Sequence, residues 1–352
     1  MKAMLLKKVC DMTTNDSPLE LVSIAIPVTK DNEILIKISC CGICHTELDE
    51  IEGRVRPSIM PIIPGHQVIG YVEKKGKKVS LFKEGDRVGV AWIFSSCGKC
   101  EYCVNGKENL CPDFKGTGKD ANGGYAEYMT VSENFAYLIP AALSDTEAAP
   151  LLCAGAIGYR SLMLTNIKNG QTLGLAGFGA SGHLVLKTAK YLFPDSKIVV
   201  FARSREERDF AQSLGASWVG DFTDSPLDIP QAIIDTTPVW KTIVHSLENI
   251  KPGGRLVINA IRKESIDKSE LLNINYEKHL WMEKEIKSVT NITRSDVKSF
   301  LELAVKINIK PEIEIYPFNQ ANNALFDLKN KRIKGAKVLM INEMKSEIQN
   351  LH

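Results

Sequence analysis

The pattern of hydrophobic and polar residues changes near the middle of the chain. Before about residue 150, apolar residues form short runs broken by turns, as in "EILIKIS", "QVIGYVEKKG", "GDRVGVAW" and "YAEYMTV". Strand-length runs separated by glycine and proline are typical of an antiparallel barrel or sandwich. The first half is therefore predicted to be mainly β.

From Thr172 onward, apolar strands alternate with amphipathic helices. The predicted strands are "TLGLA", "SKIVVFA", "QAIIDT" and "GRLVINA", and the predicted helices are "ASGHLVLKTAKYLF", "REERDFAQSLG" and "VWKTIVHSLENI". Such alternation with short connections predicts a parallel, doubly wound α/β sheet with helices on both faces. After about Val289, a helix, an extended segment, a helix and a strand are expected to return to the first half.

These changes of periodicity predict the domain organisation. We expect a mainly β domain over residues 1–153 that contains a cysteine-rich lobe at 95–113. An α/β domain should follow over 154–289, and residues 290–352 should rejoin the first domain. A chain of 352 residues is long enough for two hydrophobic cores.

Composition narrows the possible partners. The 44 basic and 42 acidic residues nearly cancel, so neither nucleic acid nor an anionic membrane is an expected partner. No apolar run reaches the roughly 20 residues that a membrane-spanning helix needs. The start, "MKAMLLKKVCDM", lacks the features of a signal peptide. A cytoplasmic protein is predicted.

Four cysteines in "CGKCEYCVNGKENLC" have the spacing of a metal site. Cys97, Cys100, Cys103 and Cys111 are separated by two, two and seven residues. Four thiolates can surround one zinc ion at about 2.3 Å and leave no open position, which is typical of a structural site. An iron–sulfur cluster is the alternative, because the first two gaps also occur in ferredoxins, but the remainder of that motif does not match.

A second cysteine motif, "CCGICHTELD", contains the pair Cys41 and Cys44. This spelling is compatible with a redox dithiol, a haem attachment site or part of a metal site. Further along the chain lie His66 in "IPGHQVIG" and Cys153 in "APLLCAGAIGYRSL". Two thiolates and one imidazole from distant segments would suit a catalytic zinc with one open position, although a lone buried cysteine or histidine more often serves packing.

The stretch "GFGASG" predicts a dinucleotide site. Its G-x-G-x-x-G pattern directly follows an apolar strand and begins a helix, so backbone and helix N-terminus can approach a pyrophosphate. The predicted cofactor-binding residues here are Gly177, Phe178, Gly179, Ala180, Ser181 and Gly182.

The end of the second predicted α/β strand bears on the choice of cofactor. NAD sites usually place a carboxylate there, about 20 residues after the glycines. Here Ala202 is followed by Arg203, Ser204 and Arg205, so no acid repels a 2′-phosphate and a guanidinium could bind it. NADP(H) is predicted over NAD(H). The alternative is that these arginines pair with neighbouring glutamates on a solvated helix.

Together with "GDRVGVAWIFSSCGKCEYC" and "KRIKGAKVLMI", these motifs resemble the zinc-dependent medium-chain alcohol dehydrogenase family in order and approximate spacing over the whole chain. The resemblance implies a GroES-like catalytic domain joined to a Rossmann domain. It implies two zinc ions, one catalytic on Cys44, His66 and Cys153, and one structural on the four-cysteine lobe, and it leaves Cys41 without a role. It also implies hydride transfer between NAD(P) and a small alcohol, aldehyde or ketone, in a homo-oligomer that is a dimer or tetramer.

The resemblance also implies roles for single residues. Thr46 matches the first position of a proton relay, and Glu47 matches the residue that orients His66 from behind. His45 and Arg294 match positions near the cofactor pyrophosphate. Trp92 matches an aromatic residue of the substrate pocket.

Four positions depart from the family pattern. Gln67 stands where the family has a glutamate, and Glu47 where it usually has an aspartate. Asp49 stands where many members have a relay histidine, and Ile157 where a threonine often meets the nicotinamide. We predict that Asp49 passes protons in place of the histidine. The alternatives are a polyol or secondary-alcohol dehydrogenase, which often uses a carboxylate metal ligand, and a catalytically silent nucleotide-binding relative.

Overall fold

A computed structural model describes residues 1–330 and 335–342 of the chain. The first four residues of the "KRIKGAKVLMI" stretch therefore lie outside the described residues. The chain divides into two compact units. The first contains Met1–Cys153, Ile292–Lys306 and the described residues from Lys310 onward, and the second contains Ala154–Asn291 and Ile307–Ile309.

The first unit is mainly β. Its strands before residue 153 are β1 Lys2–Leu6, β2 Leu19–Ser23, β3 Glu33–Ile43, β4 Gln67–Lys75, β5 Arg87–Val90, β6 Ile93–Ser95, β7 Lys115–Gly116, β8 Tyr128–Ser132 and β9 Ala136–Leu138. Its helices in the same range are α1 His45–Ile51, α2 Glu101–Val104 and α3 Asp145–Pro150. Strand β3 pairs with both β4 and β8, and ten of its eleven residues are buried, which explains its nearly continuous apolar run.

The second unit is a parallel α/β structure. Its elements are α4 Ala156–Leu164, β10 Leu173–Ala176, α5 Ala180–Leu192, β11 Ile198–Phe201, α6 Arg205–Ser213, β12 Trp218–Gly220, β13 Ala232–Asp235, α7 Lys241–Glu248, β14 Arg255–Ile258 and β15 Glu285–Ser288. The six strands pair in parallel in the order β12-β11-β10-β13-β14-β15. All residues of β10, β11 and β13 are buried, as expected for interior strands of such a sheet.

The last elements belong mostly to the first unit. They are α8 Arg294–Lys306, β16 Ile313–Pro317, α9 Ala321–Asn330 and β17 Ala336–Met340. Strand β17 pairs antiparallel with β3 and parallel with β16, so the large sheet of this unit is mixed rather than purely antiparallel. Among the described residues, no helix has the length and apolar character needed to cross a bilayer.

The predicted architecture, a mainly β GroES-like part and a parallel α/β part, is confirmed. Several elements were not predicted from the sequence, among them α1, β12 and β15. Helix α1 has only seven residues and begins at an unusual N-cap, Cys44. Strand β12 has three residues, and β15 is a fully exposed edge strand with a polar sequence, so neither shows a buried strand pattern.

Candidate active site

Strand pairing brings the first two members of the three-residue cluster together. Cys44 directly follows β3, and His66 directly precedes β4. These two strands are antiparallel neighbours, with Gly42 opposite Gln67, so both residues lie at the same end of the pair. The third member, Cys153, follows helix α3, which packs against β3 and β4.

The side chains of Cys44, His66 and Cys153 meet at one point. His66 Nε2 lies 3.6 Å from Cys44 Sγ and 3.3 Å from Cys153 Sγ, and the three donor atoms all lie within 4.8 Å of one another. Donors bonded to one tetrahedral zinc at about 2.0 to 2.3 Å are separated by roughly 3.3 to 3.8 Å. The donor set therefore fits zinc in both chemistry and spacing.

Glu47 supports two of these three residues. Its Oε1 lies 2.5 Å from His66 Nδ1, and its Oε2 accepts a hydrogen bond from the backbone N–H of Cys44 at 2.8 Å. Glu47 and His66 are almost fully buried. A partner on Nδ1 fixes the imidazole so that Nε2 points toward the two thiols, the usual arrangement for a metal-binding histidine.

The electrostatics of this site favour a cation. A hydrogen bond with Cys153, together with burial, raises the pKa of the Cys44 thiol well above its usual value. Burial lowers the pKa of His66, but the charges of Glu47 and Cys44 and their hydrogen bonds with the imidazole together outweigh it and raise this pKa well above its usual value. Forming a thiolate in such a place requires a compensating positive charge, which a divalent metal supplies while displacing the protons.

The other residues predicted near this site have varied surroundings. Thr46 is half-buried, and its backbone N–H donates to Cys44 Sγ at 3.3 Å. Asp49 is buried and accepts a hydrogen bond from Arg54 Nε at 2.6 Å. Its predicted proton-relay role thus concerns a carboxylate that already forms an ion pair. Gln67 is buried, and His45 is exposed at the start of α1.

Cys41 belongs to neither thiol cluster in the described part of the chain. It is buried within β3, and its thiol donates to the carbonyl of Gly42 at 3.5 Å. The Cys-x-x-Cys sequence of Cys41 and Cys44 therefore does not correspond to a pair of thiols in this structure. Cys41 is buried within β3, whereas Cys44 follows that strand and is the N-cap of α1.

Trp92 and Arg294, two further predicted residues, have well-defined contacts within the first unit. Trp92 is half-buried, and its ring centroid lies 4.9 Å from that of Phe114. The backbone N–H and Nε of Arg294 both donate to Glu108 Oε1, at 2.7 and 3.0 Å. Arg294 thus contacts a buried carboxylate that lies three residues before Cys111. Its predicted place near the cofactor pyrophosphate stays a prediction.

The four-cysteine lobe is organised mainly by its own backbone. Cys97 Sγ lies 3.9 Å from Cys103 Sγ, and the four sulfurs all lie within 4.8 Å of one another. The N–H of Cys100 donates to Cys97 Sγ and the N–H of Cys97 to Cys111 Sγ, both at 3.4 Å. Backbone N–H groups of Lys99 and Cys100 lower the pKa of the Cys97 thiol to about 6. Ready ionisation of a thiol and close sulfur spacing fit a Cys₄ zinc site.

The glycine motif forms the tight turn between β10 and α5. Gly177 has φ of 87°, and a Cβ there would lie 2.7 Å from Thr236 Oγ1, so glycine is required at this position. Gly179 is the N-cap of the 13-residue helix α5 and provides no side chain to cap it. The first backbone N–H groups of α5 therefore lie near the carboxyl end of β10. An anion at that position can accept hydrogen bonds from them.

The arginines that follow β11 differ in their contacts. Arg205 lies on the exposed surface 3.7 Å from Asp209, and Arg208 Nη1 donates to the carbonyl oxygens of Ala202 and Arg203 at 2.8 and 3.1 Å. Ser204 caps α6. The Arg203 side chain is exposed and has no hydrogen-bond or ion-pair partner among the described residues.

Sequence reasoning missed several buried charged residues, among them Glu108, Asp235 and Lys263. Each is a single charged residue in a segment that gives no pattern for its burial. For Glu108, the available signal was its position three residues before Cys111, the last cysteine of the lobe.

Comparisons with known proteins agree on one family. Residues 30–141 match the model of the alcohol dehydrogenase GroES-like domain. The chain is 42% identical to a probable alcohol dehydrogenase AdhA of Mycobacterium tuberculosis over 329 residues, which cover 92% of this chain and 93% of that protein. It is 31% identical to an alcohol dehydrogenase of Geobacillus stearothermophilus over 339 residues, covering 92% and 96%. A cinnamyl alcohol dehydrogenase structure from Sorghum bicolor matches with a TM-score of 0.84 at 27% identity, covering 97% of this chain and 99% of that one.

Proposed function

The chain belongs to the zinc-dependent medium-chain alcohol dehydrogenase family and is an NAD(P)-dependent oxidoreductase, and from this we propose an NADP(H)-preferring enzyme with two zinc ions. It would interconvert a small alcohol and its aldehyde or ketone by hydride transfer. The observation that carries the proposal is the convergence of Cys44, His66 and Cys153 within 4.8 Å of one another.

In this proposal, Cys44, His66 and Cys153 hold the catalytic zinc, and the four lobe cysteines hold the structural one. Zinc, when bound, polarises the substrate oxygen and lowers the pKa of an alcohol. In the oxidation direction, the alcohol carbon loses a hydride to the nicotinamide and its oxygen loses a proton. Thr46 Oγ1 accepts that proton while its own hydroxyl proton passes on toward solvent, and both transfers run in reverse during aldehyde or ketone reduction.

Glu47 contributes by fixing the imidazole. Its carboxylate holds His66 Nδ1, and it also accepts the N–H of Cys44. Both interactions restrict the two ligands before a metal binds, so less ordering is needed at the moment of binding. Gln67 is neutral where the family has a glutamate. Compared with the family pattern, the surroundings of the three ligands therefore carry one negative charge fewer, and no ligand is lost.

The preference for NADP(H) is supported by Arg203. Its guanidinium is exposed and unpaired among the described residues, whereas Arg208 is bound to backbone carbonyls. No carboxylate occupies the end of β11 to bind ribose hydroxyls and repel a 2′-phosphate. Arg203 is therefore the residue best able to form a bidentate contact with that phosphate.

Steady-state kinetics with both nucleotides test the cofactor preference. Wild-type kcat/KM should be higher with NADPH than with NADH. Arg203→Ala should lower the value for NADPH by about tenfold, as expected for one charge-assisted contact, and leave NADH nearly unchanged. Arg205→Ala is the matched control, because that arginine lies near Asp209. A wild-type preference for NADH would refute the proposal.

The reaction class is tested by following NADPH oxidation with a panel of aldehydes, ketones and ketoses, combined with zinc analysis. Turnover of aldehydes with two zinc ions per chain would support the proposal. Turnover confined to ketoses would favour a polyol dehydrogenase, and an inert protein with both metals would indicate a silent relative.

We also propose that two copies pair through β15. This edge strand is exposed at all four residues, and the nearby side chains of Trp281, Met282 and Ile286 are 54%, 52% and 47% exposed. An open strand edge flanked by apolar side chains favours addition of a second strand. Light scattering should show a dimer or tetramer, and Ile286→Lys should shift it toward the monomer. A monomeric wild type would refute this arrangement.

A further inference from the structure

A buried ion pair lies in the second unit, and the reaction chemistry above does not use it. Lys263 follows β14, and its Nζ donates to Asp235 Oδ2 at 2.5 Å, to the carbonyl of Thr237 at 2.8 Å and to that of Val239 at 3.1 Å. Asp235 is fully buried, and the Lys263 side chain is 8% exposed. All three N–H bonds of the ammonium therefore have acceptors.

The second carboxylate oxygen of Asp235 is also fully engaged. Its Oδ1 accepts hydrogen bonds from the hydroxyls of Thr237 and Thr242 at 2.8 and 2.9 Å. Burial raises the pKa of Asp235, while the contact with Lys263 opposes that rise. A buried pair of this kind is a weak source of net stability, but removing one partner leaves an uncompensated buried charge.

The pair lies where a doubly wound sheet binds its ligand. Strand β13 ends at Asp235, opposite Ala176 at the end of β10. The strand order runs outward from β10 to β11 and β12 on one side, and from β13 to β14 and β15 on the other. The crevice at the carboxyl ends of β10 and β13 is thus the topological switch point, where such sheets bind dinucleotides.

The segment that Lys263 holds contacts the glycine turn directly. The backbone N–H and the hydroxyl of Thr236 both donate to the carbonyl of Ala176, at 2.9 and 3.1 Å. Ala176 immediately precedes Gly177, and the space above Gly177 is filled by Thr236 Oγ1. Residues 235–239 therefore form one side of the turn that receives the pyrophosphate.

We propose that Lys263 is a positioning residue for dinucleotide binding, which fixes residues 235–239 against the Gly177 turn through Asp235 and the carbonyls of Thr237 and Val239. The inference rests on the dinucleotide binding of the proposed function. It does not depend on the preference for NADP(H), because the 2′-phosphate is expected at the end of β11 rather than β13. Lys263 acts through the loop and is not assigned a contact with the cofactor.

The test compares two lysines that hold backbone carbonyls in the same unit. Lys284 Nζ donates to the carbonyls of Leu247 and Lys278 at 2.6 and 2.9 Å, but it precedes β15 and so lies at the amino ends of the strands. Wild type, Lys263→Met and Lys284→Met are titrated with NADPH and with NADH by nucleotide fluorescence. Thermal unfolding of each variant is measured in parallel, and titrations are made well below the transition.

For Lys263→Met we expect Kd to rise by about tenfold for both nucleotides, because residues 235–239 lose the contact that fixes them beside the Gly177 turn. KM for the nucleotide should rise with it, kcat should fall less, and the ratio between NADPH and NADH should stay that of wild type. Lys284→Met should lower the unfolding temperature without changing Kd. Lys263→Arg, which keeps the charge and several donors, should recover most of the affinity.

A Kd within twofold of wild type for folded Lys263→Met would overturn the inference, even if that variant unfolds at a lower temperature. Lys263→Gln, which keeps an uncharged amide donor group at a similar length, carries the same test if the methionine variant does not fold. Wild-type protein that binds neither nucleotide would refute the proposed function itself. The two failures are therefore distinguishable.

Discussion

The two thiol clusters of the first unit are assembled in different ways. The four-cysteine cluster takes all its sulfurs from residues 97–111, and backbone N–H groups of the same loop bind them. The other cluster joins His66 to Cys44, 22 residues away, and to Cys153, 87 residues away. There a buried carboxylate, Glu47, holds the imidazole.

Because of this difference, we expect the four-cysteine cluster to contribute mainly to stability and the three-residue cluster mainly to turnover. A metal bound by a single loop stabilises that loop, and its four donors leave no position for substrate. A site with three ligands from distant segments forms only after the sheet and α3 have folded, and its fourth position can accept a substrate oxygen. Damage to the first cluster should therefore appear mainly in unfolding, and damage to the second mainly in catalysis.

The largest expected effect is on catalysis. Cys153→Ser should lower kcat/KM by about a thousandfold or more, equal to about 4 kcal/mol of transition-state stabilisation. Zinc content should fall from two ions to one per chain, because the lobe is intact. Cys41→Ser, a buried thiol outside both clusters, should retain both ions. Full activity with two bound ions in Cys153→Ser would contradict the assignment.

A substitution in the four-cysteine lobe tests its expected role in stability. Cys103→Ser should lower the free energy of unfolding by about 2 to 4 kcal/mol, because loss of a structural metal releases the loop. Amide hydrogen exchange should increase most over residues 95–113. Activity of the remaining folded protein at 25 °C should exceed that of Cys153→Ser. Loss of turnover with unchanged stability would show that the two clusters do not divide these roles.

A smaller effect should follow from the carboxylate behind His66. Glu47→Gln removes the charge next to Nδ1, so metal affinity at the three-residue cluster should fall by about 10- to 100-fold. Competition with a chelator, followed by zinc analysis and residual activity, measures this change. Glu47→Asp keeps the charge and should lose less. If both variants released the lobe metal first, the contrast between the clusters would fail.

The smallest effect concerns the contact between the lobe and α8. Glu108→Gln should cost about 1 to 2 kcal/mol of stability, since Arg294 loses a charged hydrogen-bond partner. Burial by itself raises the pKa of Glu108, but the hydrogen bonds and charge of Arg294 outweigh it, so the pKa is lowered from its ordinary value of 4.5.

The pH dependence of that effect follows from the lowered pKa. The stabilisation is complete above the unfolded-state pKa and is lost as pH falls through the lower folded-state value. The difference in unfolding temperature between wild type and Glu108→Gln should therefore be constant near neutral pH and shrink below about pH 4.5. A difference that grows on acidification would contradict this origin.

Much of the fold was predictable because its signals are local. The buried strands β10, β11 and β13 and the amphipathic helices α5 to α7 repeat the periodicity that their surroundings require. Strand β15 gave no such signal, because both of its faces are exposed and its sequence is polar. Helix α1 was missed because its N-cap is Cys44, which accepts from the N–H of Thr46 in place of the usual serine or aspartate.

The sequence by itself determined what short spacing can determine: four thiols within reach of one ion, and a glycine turn between a strand and a helix. The tertiary structure decided the rest. The register of β3 against β4 brings Cys44 to His66, and a lysine after β14 reaches the end of β13. Packing of the described residues leaves Arg203 without a side-chain partner among them, while Arg208 is bound to backbone carbonyls. These contacts join segments that are far apart in the chain, and their positions follow from strand pairing and packing, which no local pattern encodes.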